Sequence, residues 1–139
     1  RQAALCGLVL ISGNARGADT AAQESALAHG GKVISIVADS LKMCPVRKNT
    51  VYISEDGFDM SFSVQRALQR NRLIHALGEK VFVAQCALYK GGTWSGTVKN
   101  LNHHLRPVFC FADGSDAAAE LVRRGAHATS YEELTANLK

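Results

Sequence analysis

Three short runs in this chain hold the residue types that could do chemistry. The first is Ser12-Gly13-Asn14-Ala15-Arg16-Gly17-Ala18-Asp19, which follows an apolar run and precedes a segment of small residues. Gly13 and Gly17 would let the backbone approach a phosphate, and Arg16 offers a planar fork suited to phosphate oxygens. The plain alternative is a glycine turn with a solvent-facing arginine. The run is not a Walker sequence, because no Gly-Lys-Ser/Thr follows it. The second run, Arg70-Asn71-Arg72, lies in a stretch of helical periodicity. At about 100° per residue, Asn71 falls in the middle of the stripe made by Val64, Ala67, Leu68 and Ile74, so its amide is expected to face the core and to need partners there. Arg70 and Arg72 then diverge and do not grip one group; they are either solvated or paired with Glu55 or Asp59. The third run is Lys90-Gly91-Gly92-Thr93-Trp94-Ser95-Gly96-Thr97. Glycines, hydroxyls and a helix amino terminus together make an anion cradle, with Lys90 to neutralise charge. Trp94 could stack on a base, but its spacing to Val98 and Leu101 favours a place in the core. His103 and His104 are adjacent, point to different faces and read as surface residues.

These runs need elements to hold them. Strand-sized apolar stretches recur at Leu8 to Ile11, Val33 to Val37, Val51 to Ile53, Val81 to Ala84 and Val108 to Phe111, as expected of strands buried on both faces. Helices are expected between them. Asp19 is placed to cap one that stops at Gly30 and Gly31; a second covers roughly Ser63 to Leu77; a third starts near Thr93. Ser115 caps a fourth that ends at Gly125, and the spacing of Ser130 and Glu133 predicts a last short helix from Tyr131 to Leu138. Alternating strands and helices imply parallel strands joined by crossovers. The stretch from Ala38 to Asn49 has no clear period and reads as an excursion loop, whose Lys42, Arg47 and Lys48 are either a solvated surface or a grip on a polyanion. The expectation is one α/β domain over residues 1–139, with both phosphate-type loops beyond the carboxyl ends of strands, where ligands bind in such sheets.

Composition bounds the partners. Of 139 residues, 47% are hydrophobic, and 16 lysines and arginines against 12 acids give a formal charge of +4, which favours an anionic partner without requiring one. The four cysteines, Cys6, Cys44, Cys86 and Cys110, lie far apart, with no CxxC pair and no histidine at ligand spacing, so neither a disulfide framework nor a zinc site is suggested. A reducing, cytoplasmic setting follows. No apolar run approaches the roughly 20 residues that span a bilayer, and the amino end does not resemble a signal peptide. The acids are scattered, and no serine, cysteine or lysine in these loops has an evident base partner, so there is no catalytic constellation. No cofactor or metal is called for.

Taken together, SGNARGAD (Ser12 to Asp19), RNRLI (Arg70 to Ile74) and the GGTWSGT run resemble the DNA-processing protein A family, also called Smf, over nearly the whole chain. Its usual forms of the first two motifs are SGxARGID and RNRIIAGLS. The resemblance implies a Rossmann-like three-layer sandwich with a mainly parallel sheet. It also implies that the family's first strand and its Gly-Ser-Arg turn are missing from this chain, which opens in the helix that follows them. It further implies a basic pocket for single-stranded DNA, a homodimer, and RecA as a partner during DNA uptake and recombination, with no catalysis. Carried over by motif, Ser12, Gly13, Arg16 and Gly17 form the phosphate-facing loop, Arg70, Asn71 and Arg72 the second motif, and Lys90, Gly91, Gly92, Thr93 and Ser95 the loop lining the same pocket.

Two rivals use the same fold. The LOG-type phosphoribohydrolases, which belong to the lysine decarboxylase-like group, carry PGGxGTxxE around the third loop. Here no glutamate stands at Val98, Lys99 or Asn100, and an oxocarbenium-like ribosyl centre needs a carboxylate. A nucleotide-sensing domain would use the same cradle for one mononucleotide; the net charge and the cations of the excursion loop favour a polymer.

Overall fold

The structure is a computed structural model and describes residues 1–139. Its order is α1 (Gln2–Leu5), β1 (Val9–Gly13), α2 (Ala18–Ala28), β2 (Lys32–Ile36), a 3-10 turn (Leu41–Met43), β3 (Thr50–Ile53), α3 (Val64–Leu77), β4 (Val81–Val83), α4 (Gly91–His103), β5 (Val108–Phe111), α5 (Asp116–Arg123), β6 (His127–Thr129) and α6 (Leu134–Leu138). Strands and helices alternate, every strand pairing is parallel, and the fold class is α/β as expected. The strands form two three-stranded sheets, β1-β2-β3 and β4-β5-β6. Two compact units contain them, Arg1–Ile74 and His75–Lys139.

In the first unit β2 is central, with Val33 paired to Leu10 on one side and to Thr50 on the other. Having neighbours on both sides, β2 is the strand that is closed off from water: Val33 and Ile36 are buried, as are Val37 and Ala38 just beyond it. Strands β1 and β3 each have one neighbour and are only partly covered. Val9 and Val51 are exposed, which corrects the expectation that these runs are buried on both faces. Helix α2 packs on β1 and β2, with Gln23 and Ala26 its buried residues, and at Gly31 an added Cβ would lie 2.7 Å from Ala4 and 2.8 Å from the Ala26 carbonyl. The expected excursion loop is present between β2 and β3, broken only by the 3-10 turn.

In the second unit β5 is central, and the core is built from Val81, Val83, Trp94, Val108, Cys110, Ala117, Leu121 and Ala126 with their neighbours. Strand β6 was not legible as an apolar run, because His127 and Ala128 are exposed and only Thr129 is buried. Ser115 caps α5 as expected, accepting a bond from the Ala118 N–H at 3.2 Å. The Ser130–Glu133 pair bonds reciprocally, at 3.1 and 3.2 Å. The regular helix after it starts only at Leu134, since residues 131–133 form a turn. All four cysteines are free, and no helix is long and apolar enough to cross a membrane.

Candidate nucleic-acid interface

At the carboxyl end of β1 the chain divides into an inner, locked half and an outer, free half. Ser12 and Gly13 are buried. Gln23, buried on α2, donates to Ser12 Oγ at 2.8 Å, to the Gly13 carbonyl at 2.6 Å and to Ser35 Oγ at 3.2 Å, so one amide ties the first two strands to the helix between them. Sequence reasoning missed Gln23; the signal was a polar residue one turn before Ala26 on the face of α2 that must meet the sheet. Gly13 is glycine for a steric reason. A Cβ there would stand 2.6 Å from Asp19 Oδ2, 2.7 Å from Arg70 Cζ and 2.8 Å from Arg70 Nη1.

The next residues turn outward. Ala15 is braced by its carbonyl, which accepts from Thr20 Oγ1 at 2.8 Å, and by its N–H, which donates to Asp19 Oδ2 at 3.4 Å. Asp19 therefore sits inside the first turn; the N-cap is Gly17, not Asp19, and no side chain caps the helix. Gly17 has φ +90° with open space around it, a conformation in which glycine is nearly free of the strain other residues feel. The first-turn N–H groups of α2 are thus not taken up by a capping side chain, and Arg16 beside them is exposed and in no ion pair.

The second motif is arranged differently from expectation. Arg70 is buried and Asn71 only half-buried, while Val64 and Leu68 of the supposed core stripe are exposed. The inward face of α3 in the first unit carries Arg66 and Arg70. Periodicity found the helix but chose the wrong face, because the ends of these two arginines have partners that no helical wheel contains. Arg70 donates from Nη1 to the Ile36 carbonyl at 2.8 Å and from Nε to Asn71 Oδ1 at 3.2 Å. Burial pulls its guanidinium below the usual value, and the Asp19 carboxylate partly offsets this. Arg66 bonds Asp56, the Met60 carbonyl at 2.7 Å, the Ser61 carbonyl at 2.6 Å and Ser54 Oγ at 3.1 Å. Arg72 is exposed and pairs with Glu55 at 2.8 Å, one of the two partners the sequence suggested.

In the second unit Lys90 is the N-cap of α4, exposed and in no ion pair, and its side chain makes no capping bond. Gly91 opens the helix at φ +81°. Thr93 and Ser95 are exposed, Gly92 is half-buried, and Thr97 is buried with its hydroxyl unpartnered. Trp94 belongs to the core, with Tyr89 edge-on at 5.2 Å and the Arg124 guanidinium 5.6 Å from its ring centre. His103 and His104 are exposed. Within each unit, then, one glycine-bearing helix start follows the carboxyl end of a strand and carries a free cation: Arg16 after β1 in the first, Lys90 after β4 in the second.

Parallel strands joined by crossover helices, with uncapped helix starts beyond strand ends, define a Rossmann-like α/β protein. The family model for DNA recombination-mediator protein A matches residues 1–139, and the chain belongs to that family. It is 31% identical over 148 residues to DNA processing protein DprA of Streptococcus pneumoniae, across 95% of this chain and 52% of that protein. It superposes on the crystal structure of DprA from Streptococcus pneumoniae with a TM-score of 0.81 at 28% identity, covering 99% of this chain and 54% of that one. A structure of DNA processing protein A from Helicobacter pylori, described for its single-stranded DNA binding mode, gives a TM-score of 0.81 at 28% identity, over 99% of this chain and 69% of that one. The chain spans about half the length of the curated relative it matches.

Proposed function

We propose that this protein binds single-stranded DNA through its two glycine-bearing helix starts, with Arg16 and Lys90 as the phosphate-facing cations. The observation that carries this reading is the free state of both cations, each standing at an uncapped helix start. Family membership and the DNA-binding relative from Helicobacter pylori support it. Among the other residues of the motifs, Gly17, Gly91, Thr93 and Ser95 provide open backbone and hydroxyls, and Gly92 eases close approach. Ser12, Gly13, Arg70 and Asn71 act from inside, by fixing the loop, and Arg72 is engaged by Glu55. On the same reading the chain works as one DNA-binding domain of a cytoplasmic, non-catalytic recombination mediator that acts as a homodimer and loads RecA.

The test is fluorescence anisotropy of labelled oligothymidine across a salt series, beside a matching duplex. Saturable single-strand binding that exceeds duplex binding and weakens steeply with salt is expected. Arg16→Ala and Lys90→Ala should each weaken it without lowering the melting temperature. Absence of binding at low salt, or unchanged affinity in both variants, overturns the assignment; saturation by thymidine monophosphate alone would favour a nucleotide sensor.

A further inference from the structure

The segment between β3 and α3 shows an unusual division of labour between backbone and side chains. Its backbone is pinned from within. The Phe58 carbonyl accepts from the Leu41 N–H at 2.9 Å and Ser40 Oγ at 3.1 Å. The Phe62 N–H donates to Asp39 Oδ1 at 3.0 Å, and the Met60 and Ser61 carbonyls are held by buried Arg66. Its large apolar side chains nevertheless face water: Phe58 is 61% exposed, Met60 51% and Phe62 57%. Val64 and Leu68, one turn apart on the outer face of α3, are exposed as well. A mobile loop could fold such side chains inward, but a pinned one displays them. A fixed apolar display on this scale marks a contact surface.

Charge and position indicate what the surface meets. Of its acids, Asp56 is paired with Arg66 and Glu55 with Arg72, Asp39 Oδ1 accepts from the N–H groups of Ser40 and Phe62, and Asp59 between the rings is exposed and in no ion pair. Lys42, next to the Leu41 N–H that holds Phe58, is exposed and in no ion pair. Because β1, β2 and β3 are parallel, this segment leaves the same edge of the sheet as the Arg16 loop. Aromatic rings beside a free lysine, on the sheet edge that also carries the Arg16 helix start, suit a ligand with both flat faces and a charged backbone. We infer that Phe58 and Phe62 form a stacking platform for the bases of a single nucleic-acid strand whose phosphates are held by Arg16 and Lys42. This rests on the single-strand reading above and adds a base-contacting surface to it.

The experiment compares labelled oligothymidine with an abasic oligomer of the same length, for the wild type and the Phe58→Ala/Phe62→Ala variant. The wild type should prefer the strand that carries bases. The variant should lose about tenfold or more in oligothymidine affinity, keep its affinity for the abasic strand and its salt slope, and melt at the wild-type temperature. Phe62→Trp should restore binding and be quenched by oligothymidine. Wild-type binding to oligothymidine that the double variant leaves unchanged overturns the platform while leaving the single-strand reading intact; no wild-type binding overturns both. A variant that binds normally but no longer self-associates in sedimentation would assign the surface to a second copy of the chain, and would also overturn the platform.

Discussion

Gly13 and Gly17 stand four residues apart and are glycine for different reasons. Gly17 needs its backbone angle, while Gly13 is fixed by what crowds it, the Asp19 carboxylate and the Arg70 guanidinium. Gly13→Ala is expected to destabilise the protein by about 1–3 kcal/mol, as overpacking does, because Arg70 is anchored to the Ile36 carbonyl and cannot swing aside without losing that bond. Urea unfolding would measure it. Arg70→Met should remove about 2 kcal/mol through the orphaned carbonyl and the lost charged hydrogen bond. Its weakened oligothymidine binding should recover at lower temperature, where the loop is intact, whereas that of Arg16→Ala should not. Asn71, half-buried and partner to Arg70 Nε, is a bracket for that arginine, and Asn71→Ala should lower stability less than Arg70→Met. The motif RNR was visible in the sequence; which of its three residues lies inside was not, since Arg70 finds its acceptor on a strand 34 positions earlier.

At the scale of elements, α3 and α4 each carry a buried polar knot. In the second unit Asn100 is fully buried; its Oδ1 accepts from the Arg106 N–H at 2.9 Å, so its Nδ2 donates to His75 Nδ1, also at 2.9 Å. His75 is therefore required as an acceptor, and burial lowers its pKa from the usual 6.5. The unfolded chain takes up a proton at this histidine near its usual value while the folded chain resists. The stabilisation is thus complete above that value and is lost as pH falls through it toward the lower folded pKa. Unfolding midpoints should be flat above the usual imidazole value and decline below it, and His75→Gln should flatten the decline. Asn100→Ala should cost about 2 kcal/mol, for a buried donor and acceptor left unpaired. In the first unit Arg66 plays the corresponding part. Arg66→Ala should release the segment from Ser54 to Ser63, and chymotryptic cleavage at Phe58 or Phe62 should quicken on the order of tenfold. Helix boundaries were legible from caps and glycines, as at Ser115 and Gly125. Strand β6 was not, because two of its three residues face water.

For the whole molecule, the formal charge of +4 sets a weak general attraction to polyanions. Each of Arg16→Ala and Lys90→Ala should lower the salt slope of oligothymidine binding by about 0.7, the amount for one phosphate contact on a single strand. The Phe58→Ala/Phe62→Ala variant should leave that slope unchanged. What the sequence by itself determined is the alternation of strands and helices, the glycine-bearing loops that follow strands, the cap at Ser115, the reciprocal Ser130–Glu133 pair, and the family. All of these are written in short-range periodicity and in motifs of a few residues. What only the tertiary structure decided is which polar groups are inside. Arg66, Arg70, Gln23, His75 and Asn100 are buried because their partners, Met60, Ser61, Ile36, Gly13 and Arg106 among them, are brought to them by the fold. The same decision leaves Phe58 and Phe62 outside. A side chain's burial depends on hydrogen-bond partners distant in sequence, and residue type alone does not disclose them.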